Sequence, residues 1–308
     1  MDLRQLNALL AVAEHGGFSA AARALHTVQC NVSTHVARLE KELGATLIDR
    51  STGRPTKEGE AVLTRATRVR AELEALSADV ASLGAKVAGT VRIGMIGTTA
   101  RWLSPLLFEA VEANHPEVRM VLVDATTTSL VPRVDRGDLD LAVVNLPAES
   151  QDTQTEPLFD EDRLLLTPPD HPLADREAVQ LAELADHDLL LEPVGTAFRD
   201  ELDIQAAAVG VRLRARAEVD GMRLLASLVI AGFGAAVLPA SAVPPVPIGA
   251  SEPWRVIAVE GLEPRSVGLA QRRRGLLSSP AMAVRELLLD VVAEHAGDQG
   301  GLVAVRPT

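Results

Sequence analysis

The stretch from Glu60 to Leu83 contains neither glycine nor proline and carries a long apolar stripe. Its apolar residues recur in alternating steps of four and three: Val62, Ala66, Val69, Leu73, Leu76, Val80 and Leu83. Such heptad spacing predicts a helix about 36 Å long with an apolar seam along one side. The seam needs a partner, which is either the same helix of a second subunit or the protein's own domain. We favour pairing with a second subunit.

A small helical domain is predicted on the N-terminal side of this long helix. Residues 2–13 form a short amphipathic pattern that ends at Gly16-Gly17. An alanine-rich pattern follows from Ser19 to Leu25, in which small side chains allow two helices to cross closely. Ser19 is expected to be the N-cap of that helix, because its hydroxyl can accept a bond from a free backbone N–H. A third pattern places four apolar residues on one buried stripe: Val32, Val36, Leu39 and Leu43.

The opposite side of the third helix is predicted to be exposed and polar. It carries Cys30, Thr34, Ala37, Arg38 and Lys41. Short polar side chains can reach base edges in the major groove of DNA, whereas arginine and lysine contact phosphates or guanine. A basic loop from Arg50 to Lys57 follows and is typical of a wing. We predict contacts with base edges from Gln29, Asn31, Ser33 and Thr34, and contacts with phosphates or the minor groove from Arg38, Arg50 and Arg54.

A known family pattern runs through this segment. It consists of Phe18-Ser19-Ala20-Ala21-Ala22, Leu25-His26, Gln29, Val32-Ser33, Val36, Arg38-Leu39-Glu40, Leu43-Gly44, Leu47-Ile48, Arg50, Thr56 and Gly59. By these residues the segment resembles the N-terminal winged helix-turn-helix of the LysR-type transcriptional regulators. Two features depart from the family: Val28-Gln29-Cys30 stands where Ser-Gln-Pro is usual, and the wing from Ser51 to Pro55 is short.

The resemblance covers the whole chain and implies the arrangement of the remaining parts. In this family the long helix is the dimerisation linker, and a C-terminal domain binds a small-molecule effector in a cleft between two α/β subdomains. Assembly as a dimer, or as a dimer of dimers, is implied as well.

The charge of the chain is unevenly distributed. Its net charge of -12 argues against a uniformly basic nucleic-acid binder. Residues 1–70 carry ten Lys and Arg against seven Asp and Glu, whereas the remainder carries twenty against thirty-five. The acidic excess therefore lies outside the predicted winged helix-turn-helix domain at residues 1–57, which we call the reader. Because one reader is only weakly basic, we expect tight binding to double-stranded DNA to require a homo-oligomer.

From about residue 90 onward, strand and helix patterns alternate, which predicts parallel strands joined by crossover helices. Ligands bind beyond the carboxyl ends of such strands. Hydroxyl residues follow several strands at helix starts, where backbone N–H groups suit a carboxylate or other anion. Each could instead be an ordinary N-cap, but their repetition at successive strands favours a ligand site. By the likeness to the family's cleft, the predicted effector contacts are Thr98, Thr99, Thr128, Thr196 and Phe198.

The predicted architecture is multidomain. An all-α winged helix-turn-helix domain occupies residues 1–57, and a linker helix with a hinge occupies 58–89. An α/β effector domain follows at 90–298, built of two Rossmann-like subdomains that resemble periplasmic binding proteins. Subdomain I is expected at 90–162 and 268–296, subdomain II at 163–267, and a poorly ordered tail at 299–308. Gly84 to Thr90 is the expected hinge, and Pro244 to Pro247 an extended segment.

Other functions fit the sequence less well. An enzyme is disfavoured because the chain lacks Gly-x-Ser-x-Gly, P-loop and His-Glu-x-x-His motifs, so we predict no catalytic residues. Scattered histidines predict no metal site, and no cofactor is expected. An exported solute-binding protein is disfavoured because we find a reader and no export signal at the N-terminus, and no apolar run long enough for a membrane. We expect a cytoplasmic protein. Cys30 is either a redox sensor or, as we favour, a small residue at the family's usual proline position.

Overall fold

A computed structural model of the protein describes residues 1–83, 86–148, 150–243 and 254–305. Gly84, in the predicted hinge, and the predicted extended segment from Pro244 to Pro247 lie outside the described residues.

Three helices and a closed loop form the N-terminal domain. The helices are α1 (Leu3–His15), α2 (Phe18–Ala24) and α3 (Gln29–Leu43). Ile48 and Pro55 pair as an antiparallel bridge, which closes the wing between them. The three helices and the wing share one core, in which Leu9, Val36 and Leu47 are fully buried. The predicted winged helix-turn-helix is therefore confirmed.

Two details of this domain differ from the sequence prediction. Gly17 is the N-cap of α2, and Ser19 lies inside the helix, where its hydroxyl donates to the side chain of Gln29 at 2.7 Å. The prediction of Ser19 as the N-cap is therefore wrong. Leu43 is 43% exposed, because α3 ends there and Gly44 turns the chain away in the left-handed conformation. Leu43 consequently does not belong to the buried stripe.

The long helix α4 spans Lys57–Ser82, and its 26 residues make it about 39 Å long. The Thr56 hydroxyl caps it by accepting a hydrogen bond from the backbone N–H of Gly59 at 3.0 Å. Gly59 lies so close to the wing that a Cβ atom there would overlap the carbonyl oxygen of Leu47. The first turn of α4 is thus packed directly on the N-terminal domain.

One side of α4 lies on the protein's own effector domain. This side presents small residues: Ala71 faces Gly137, and Ala78 faces Gly89. Ion pairs flank the small residues, and an acceptor on α4 bonds the start of the last helix. These contacts are Arg68–Asp152 at 2.5 Å, Glu72–Arg272 at 3.0 Å, Glu74–Arg92 at 2.8 Å and Asp79 with the backbone N–H of Ser279 at 2.7 Å.

The apolar seam of α4 lies on the opposite side and is exposed. At about 100° per residue, Leu73 and Ala71 point to nearly opposite sides of the helix. The seam residues Val69, Leu73, Leu76 and Val80 leave 40%, 42%, 62% and 61% of their surface exposed. The protein's own effector domain thus contacts the alanine side of α4 and not the seam. The seam is left open for a second subunit. Pairing of the seam with a second subunit stays a prediction.

Strands and helices alternate in the effector domain. Its strands are β1 (Gly89–Met95), β2 (Val118–Asp124), β3 (Leu141–Asn145), β4 (Thr153–Glu161), β5 (Arg163–Thr167), β6 (Ala178–Gln180), β7 (Asp188–Leu191), β8 (Arg214–Glu218), β9 (Ala236–Pro239), β10 (Arg255–Glu260), β11 (Arg265–Arg272) and β12 (Leu302–Ala304). Its helices are α5 (Gly97–Asn114), α6 (Thr127–Arg136), α7 (Ala197–Ala208), α8 (Met222–Ile230) and α9 (Ser279–His295), and 3-10 turns span Leu181–Asp186, Ala240–Ala242 and Ala296–Asp298.

The strands form a larger sheet in subdomain I and two smaller sheets in subdomain II. The larger sheet has the order β12-β4-β11-β3-β1-β2, and the smaller ones are β6-β10-β5-β9 and β7-β8. Pairing is parallel between β1 and its neighbours β2 and β3, as predicted. In contrast, β11 pairs antiparallel with both β3 and β4, and β12 pairs antiparallel with β4. The prediction of parallel pairing is wrong for these strands, because β4 leaves the larger sheet for the second subdomain and β11 returns from it in the opposite direction.

The C-terminal segment is ordered over part of its length. Leu302–Ala304 form β12, which pairs antiparallel with β4, and the backbone N–H of Val305 donates to Leu158 at 2.9 Å. Leu302 is buried in the core of subdomain I. The prediction of a poorly ordered tail is therefore wrong for residues 302–305, because an apolar side chain and an open strand edge hold them in place.

A buried ion pair joins the two strands that cross between the subdomains. Glu161 at the end of β4 is fully buried, and Arg265 at the start of β11 is 8% exposed. The Arg265 Nε donates to Glu161 Oε1 at 2.5 Å, and a second guanidinium nitrogen donates to the Thr98 hydroxyl at 2.9 Å. The other carboxylate oxygen of Glu161 accepts from the backbone N–H of Ser241 at 3.0 Å. Both subdomains are therefore tied to one buried carboxylate.

Replacing Glu161 with leucine should destabilise the effector domain by about 3–5 kcal/mol, because Arg265 is left as an uncompensated buried charge. The double variant Glu161→Leu with Arg265→Leu should lose less, since no buried charge is then unpaired. Denaturant unfolding followed by tryptophan fluorescence measures both. Glu117→Gln, in the exposed pair with Lys86, is the control and should change little. A double variant as unstable as the single one would contradict this account.

Candidate DNA-reading surface and effector cleft

The outward side of α3 is exposed and polar, as predicted. Cys30, Thr34, Ala37, Arg38 and Lys41 are all exposed, whereas Val32, Val36 and Leu39 are buried against the rest of the domain. Local hydrogen bonds hold two of its short side chains in place. The Asn31 amide donates to the Thr27 hydroxyl at 3.1 Å, and the Thr34 hydroxyl donates to the Cys30 carbonyl at 2.7 Å. The helix thus presents ordered polar groups to solvent.

The three arginines predicted to contact DNA have different surroundings. Arg50 is exposed but is engaged by its own domain: its guanidinium donates to Glu40 and to the Ser33 hydroxyl, both at 3.1 Å, and lies 4.9 Å from the ring centroid of Phe18. Among the described residues, the guanidinium groups of Arg38 and Arg54 make neither a hydrogen bond nor an ion pair. Arg38 and Arg54 are therefore available to an external anion, whereas Arg50 joins the wing to α3.

Glu40 organises this surface, although the sequence analysis gave it no role. One carboxylate oxygen accepts the backbone N–H groups of Leu47 and Ile48 at 2.8 and 3.2 Å, and the other accepts from Arg50. Glu40 thereby fixes the start of the wing to α3. The available signal was an acidic residue, one of two on α3 with Glu42, placed three residues before the helix end.

The wing is closed by its own hydrogen bonds. The backbone N–H of Gly53 donates to the Asp49 carbonyl at 2.8 Å, and the Asp49 carboxylate accepts from both the hydroxyl and the backbone N–H of Ser51. These bonds from Ser51 lower the pKa of Asp49. Arg54 is consequently presented on a short, well-defined loop beside α3.

The first two predicted effector contacts lie at the start of α5. Ile96 is the N-cap of this helix, so Thr98 and Thr99 are not its caps. Thr98 is buried and accepts a hydrogen bond from Arg265, which couples α5 to the crossing strands. The Thr99 hydroxyl is fully buried and has no hydrogen-bond partner among the described residues. The alternative that these two threonines are ordinary caps is wrong.

The remaining predicted contacts are less uniform. Thr128 is exposed, and its hydroxyl lies 3.0 Å from that of Thr126, the N-cap of α6. The neighbouring Thr127 instead accepts from the backbone N–H of Asn145 at the end of β3. Thr196 is the N-cap of α7 and donates to the Pro193 carbonyl at 3.0 Å.

Phe198 packs into the core of subdomain II under the guanidinium of Arg163, whose Cζ lies 5.4 Å from its ring centroid. Arg163 in turn pairs with Glu201. Phe198 is thus already covered from within its own subdomain.

Glu192 is a half-buried carboxyl that follows β7 in subdomain II. Burial raises the pKa of this carboxyl, while hydrogen bonding from the Gly221 backbone and the charge of Arg265 act against that rise. Four charged residues of this region were not predicted from the sequence: Glu161, Arg163, Glu192 and Arg265. Each lies at the start or the end of a strand or directly after one, and that position was the available signal.

A groove of 690 Å³ lies elsewhere, between α4 and subdomain I. Its lining includes Arg70, Glu74, Arg92 and Asp140, and none of the predicted effector contacts. Arg92 pairs with Glu74 at 2.8 Å, and burial raises the pKa of Asp140. This groove belongs to the contact between the linker helix and the effector domain.

Within the described residues, no group of three or more histidine, cysteine, aspartate or glutamate side chains is arranged to hold a metal ion. Among the described helices, none has both the length and the apolar character that crossing a bilayer requires.

The chain matches two known domain families. Residues 3–66 match the bacterial regulatory helix-turn-helix protein of the lysR family, and residues 84–293 match the LysR substrate binding domain. It is 34% identical to the DNA-binding transcriptional dual regulator OxyR of Escherichia coli over 253 residues, which cover 80% of this chain and 81% of that protein. It is 33% identical to a probable hydrogen peroxide-inducible genes activator of Streptomyces viridosporus, over 94% and 95% of the two chains.

Solved structures show the same fold. Full-length OxyR of Pseudomonas aeruginosa, with one cysteine replaced by aspartate, superposes with a TM-score of 0.78 at 27% identity, over 100% of this chain and 99% of that one. CbnR in complex with its target DNA superposes with a TM-score of 0.68 at 24% identity, over 96% and 100%, which supports the fold. With both of its domains matched and relatives above 30% identity over most of its length, the chain belongs to the LysR family of DNA-binding transcriptional regulators.

Proposed function

We propose that the protein binds double-stranded DNA as a homo-oligomer through α3 and the wing, and controls transcription in response to a small molecule bound between its two subdomains. The observation that carries this proposal is the exposed polar side of α3, next to which Arg38 and Arg54 have no internal partner. We assign reading to residues 1–57, linkage to 58–89 and sensing to the remainder. The protein acts as a regulator without catalytic activity, in the cytoplasm, where its DNA is.

Gln29, Asn31, Ser33 and Thr34 contact base edges in this proposal, since all four lie in the first two turns of α3, where three of them are exposed and Ser33 is half-buried. Arg38 and Arg54 contact phosphates, and their open guanidinium groups support that role. Arg50 acts mainly through the shape of the surface, because Glu40 and Ser33 already hold its guanidinium. The two classes of arginine therefore differ in how they contribute to binding.

The exposed seam of α4 supports pairing with a second copy of the chain. Apolar side chains that recur at heptad spacing on an open helix side are the pattern of a coiled-coil interface. Because α4 is packed on the N-terminal domain at Gly59, pairing two rods would hold two readers at a set separation. A dimer formed in this way, or a tetramer of two such dimers, compensates for the weak positive charge of one reader.

The cleft between the subdomains supports a small anionic effector. Thr98 and Thr99 lie at the start of α5, and Thr196 is the N-cap of α7, so the positive ends of two helix dipoles are near these hydroxyls. Arg265 donates to the Thr98 hydroxyl and adds a positive charge next to the start of α5. Thr128 and Phe198 are assigned to the rim, because one is exposed and the other is covered by Arg163.

Several relatives are named for hydrogen peroxide, which raises the question of a peroxide response in this chain. Peroxide is sensed in proteins chiefly through accessible cysteine thiolates. The chain contains one cysteine, Cys30, and it lies in α3 on the reading surface. We propose that its effector domain responds to a reversibly bound molecule and not to thiol oxidation.

Arg54→Ala should weaken binding to all duplexes to a similar extent and reduce the salt dependence of the binding constant by about one phosphate contact. Gel shifts at several salt concentrations measure both effects. Arg38→Ala should behave alike, whereas Arg212→Ala, an exposed arginine of the effector domain, is the matched control and should change neither. An unchanged salt slope for both Arg38→Ala and Arg54→Ala would refute their phosphate role. If the unmodified protein binds no duplex at all, the proposed function is refuted.

Leu76→Glu should reduce oligomerisation, because it places a charge in the centre of the exposed seam. Sedimentation velocity should show a shift from dimer or tetramer toward smaller species, and operator affinity should fall with it. Val194→Glu is the control, since Val194 is equally exposed in the effector domain but lies far along the chain from the seam. If Leu76→Glu sediments as the unmodified protein does, the seam is not the interface.

Hydrogen peroxide should leave the DNA footprint of Cys30→Ser unchanged, because no thiol then remains in the chain. In the unmodified protein, oxidation of Cys30 to an acid would add negative charge to the reading surface and weaken DNA binding. Intact mass measurements and gel shifts before and after treatment test both statements. A peroxide-dependent footprint in Cys30→Ser would show that the effector domain senses peroxide by another route.

A further inference from the structure

A small cavity lies at the contact between α4 and subdomain I, outside the cleft between the subdomains. Its volume is 270 Å³, and its walls come from α4, the edge strand β2, the neighbouring strand β1 and the end of α6. None of the predicted effector contacts lines it. It adjoins the larger groove described above, because Glu74 and Arg92 line both. A cavity of this size admits a small molecule in place of ordered water.

More positive than negative groups line this cavity. Its charged residues are Arg70, Glu74, Arg92, Arg133 and Asp138. Both acidic residues are already paired within the protein: the Glu74 carboxylate lies 2.8 Å from Arg92, and the Asp138 carboxylate lies 3.0 Å from Arg136. Asp140 lines the larger groove and not this cavity. The two carboxylates of the wall are thus each held by an arginine, and positive charge is left over.

Arg133, in the last turn of α6, supplies the unpaired positive charge. It is half-buried, and its guanidinium makes neither a hydrogen bond nor an ion pair with any of the described residues. Arg70 lines the cavity from α4 and uses one terminal nitrogen for Glu14 at 2.6 Å, so its other guanidinium nitrogens have no partner in the described part of the chain. A half-buried guanidinium without a counter-ion is stabilised by an anion that reaches it.

Thr67, on α4, adds an unused hydroxyl to the same wall. Other hydroxyls of this helix bond the carbonyl four residues earlier, as Thr64 does with Glu60 and Ser77 with Leu73, both at 3.0 Å. Thr67 is only 7% exposed, yet its hydroxyl has no hydrogen-bond partner among the residues that the structure describes. A polar group in such a place gains from a ligand that bonds it.

We propose that this cavity is a second ligand site, which binds a tetrahedral oxyanion such as phosphate or sulfate. Arg133 and Arg70 donate charge-assisted hydrogen bonds to the oxygens of the anion, and the Thr67 hydroxyl donates a further one. Thr67 and Arg70 belong to α4, whereas Arg133 belongs to subdomain I. A bound anion therefore connects the long helix with the effector domain and stabilises their contact. The inference goes beyond the proposed function, because it requires neither DNA nor a ligand in the cleft.

The test is a calorimetric titration of the full chain with inorganic phosphate, without DNA, at an ionic strength held constant with chloride. We expect saturable binding, and sulfate should compete because its oxygens have the same tetrahedral arrangement. Arg133→Gln should bind phosphate about tenfold or more weakly, since a charge-assisted hydrogen bond is lost. Thr67→Val keeps the shape of the side chain and should bind about fivefold more weakly, because only the hydroxyl is removed.

Two controls separate this site from other positive surfaces. Arg212→Gln, an exposed arginine of the effector domain, should bind phosphate as the unmodified protein does. The double variant Arg38→Gln with Arg54→Gln, which removes the open guanidinium groups of the reader, should do the same. Undiminished affinity of Arg133→Gln, or no saturable binding by the unmodified protein, would overturn the proposal. If Arg133→Gln does not fold, Thr67→Val decides in its place.

Hydrogen exchange read by mass spectrometry gives the location of the anion. Phosphate should slow exchange in α4 around Thr67 and in the turn after α6, at residues 136–140, and Arg133→Gln should lack this protection. Protection confined to residues 96–100, at the start of α5, would assign the anion to the cleft and refute this site. Gel shifts with operator DNA are separate, so a chain that shows the phosphate pattern but binds no duplex would refute the regulator and not the oxyanion site.

Discussion

The contact between α4 and its own effector domain is the constraint on which the rest of the molecule depends. It uses the small residues Ala71 and Ala78, which allow the helix to approach Gly137 and Gly89 closely. Because this side of the helix is occupied, the apolar seam is directed outward. An exposed apolar surface of this length is typical of an interface, and we have proposed that a second copy of the chain covers it. In that assembly, α4 would contact its own effector domain on one side and the second copy on the other.

The N-terminal domain and the effector domain carry charge of opposite sign. Residues 1–70 carry a small excess of positive charge and the rest of the chain a large excess of negative charge, so we expect the field of the effector domain to disfavour its contact with DNA. The contact between α4 and the effector domain is itself bracketed by ion pairs such as Glu72–Arg272 and Glu74–Arg92. Exposed pairs of this kind contribute little to stability each, but they specify the rotation of the helix on its support.

Much of the architecture follows from local patterns in the sequence. The 3.6-residue period of α3 predicts which side is buried, and the heptads of α4 predict a long helix with an apolar seam, because the helical repeat decides the direction of each side chain. The alternation of strands and helices likewise predicts the fold class. What the heptads cannot show is that the alanine side of α4 docks on the effector domain, since alanine spacing is compatible with plain helix propensity.

The parts that could not be predicted depend on residues distant in sequence. Arg265 meets Glu161 across 104 positions and Thr98 across 167, so neither the buried pair nor the role of Thr98 is visible in a window of neighbours. Arg50 was expected on DNA for its charge, yet Glu40 and Phe18 hold it within the domain. The strand β12 was missed because its three apolar residues form a short segment that becomes ordered only against the open edge of β4.

Gly59 packs so closely on Leu47 that the N-terminal domain and α4 form one packed unit. A tilt of α4 would therefore move the N-terminal domain with it. For an arm about 39 Å long, a tilt of about 10° displaces the far end by about 7 Å, roughly two base-pair steps. In the proposed regulator, a reorientation of this size in the effector domain would shift the N-terminal domain by about two base pairs along the double helix.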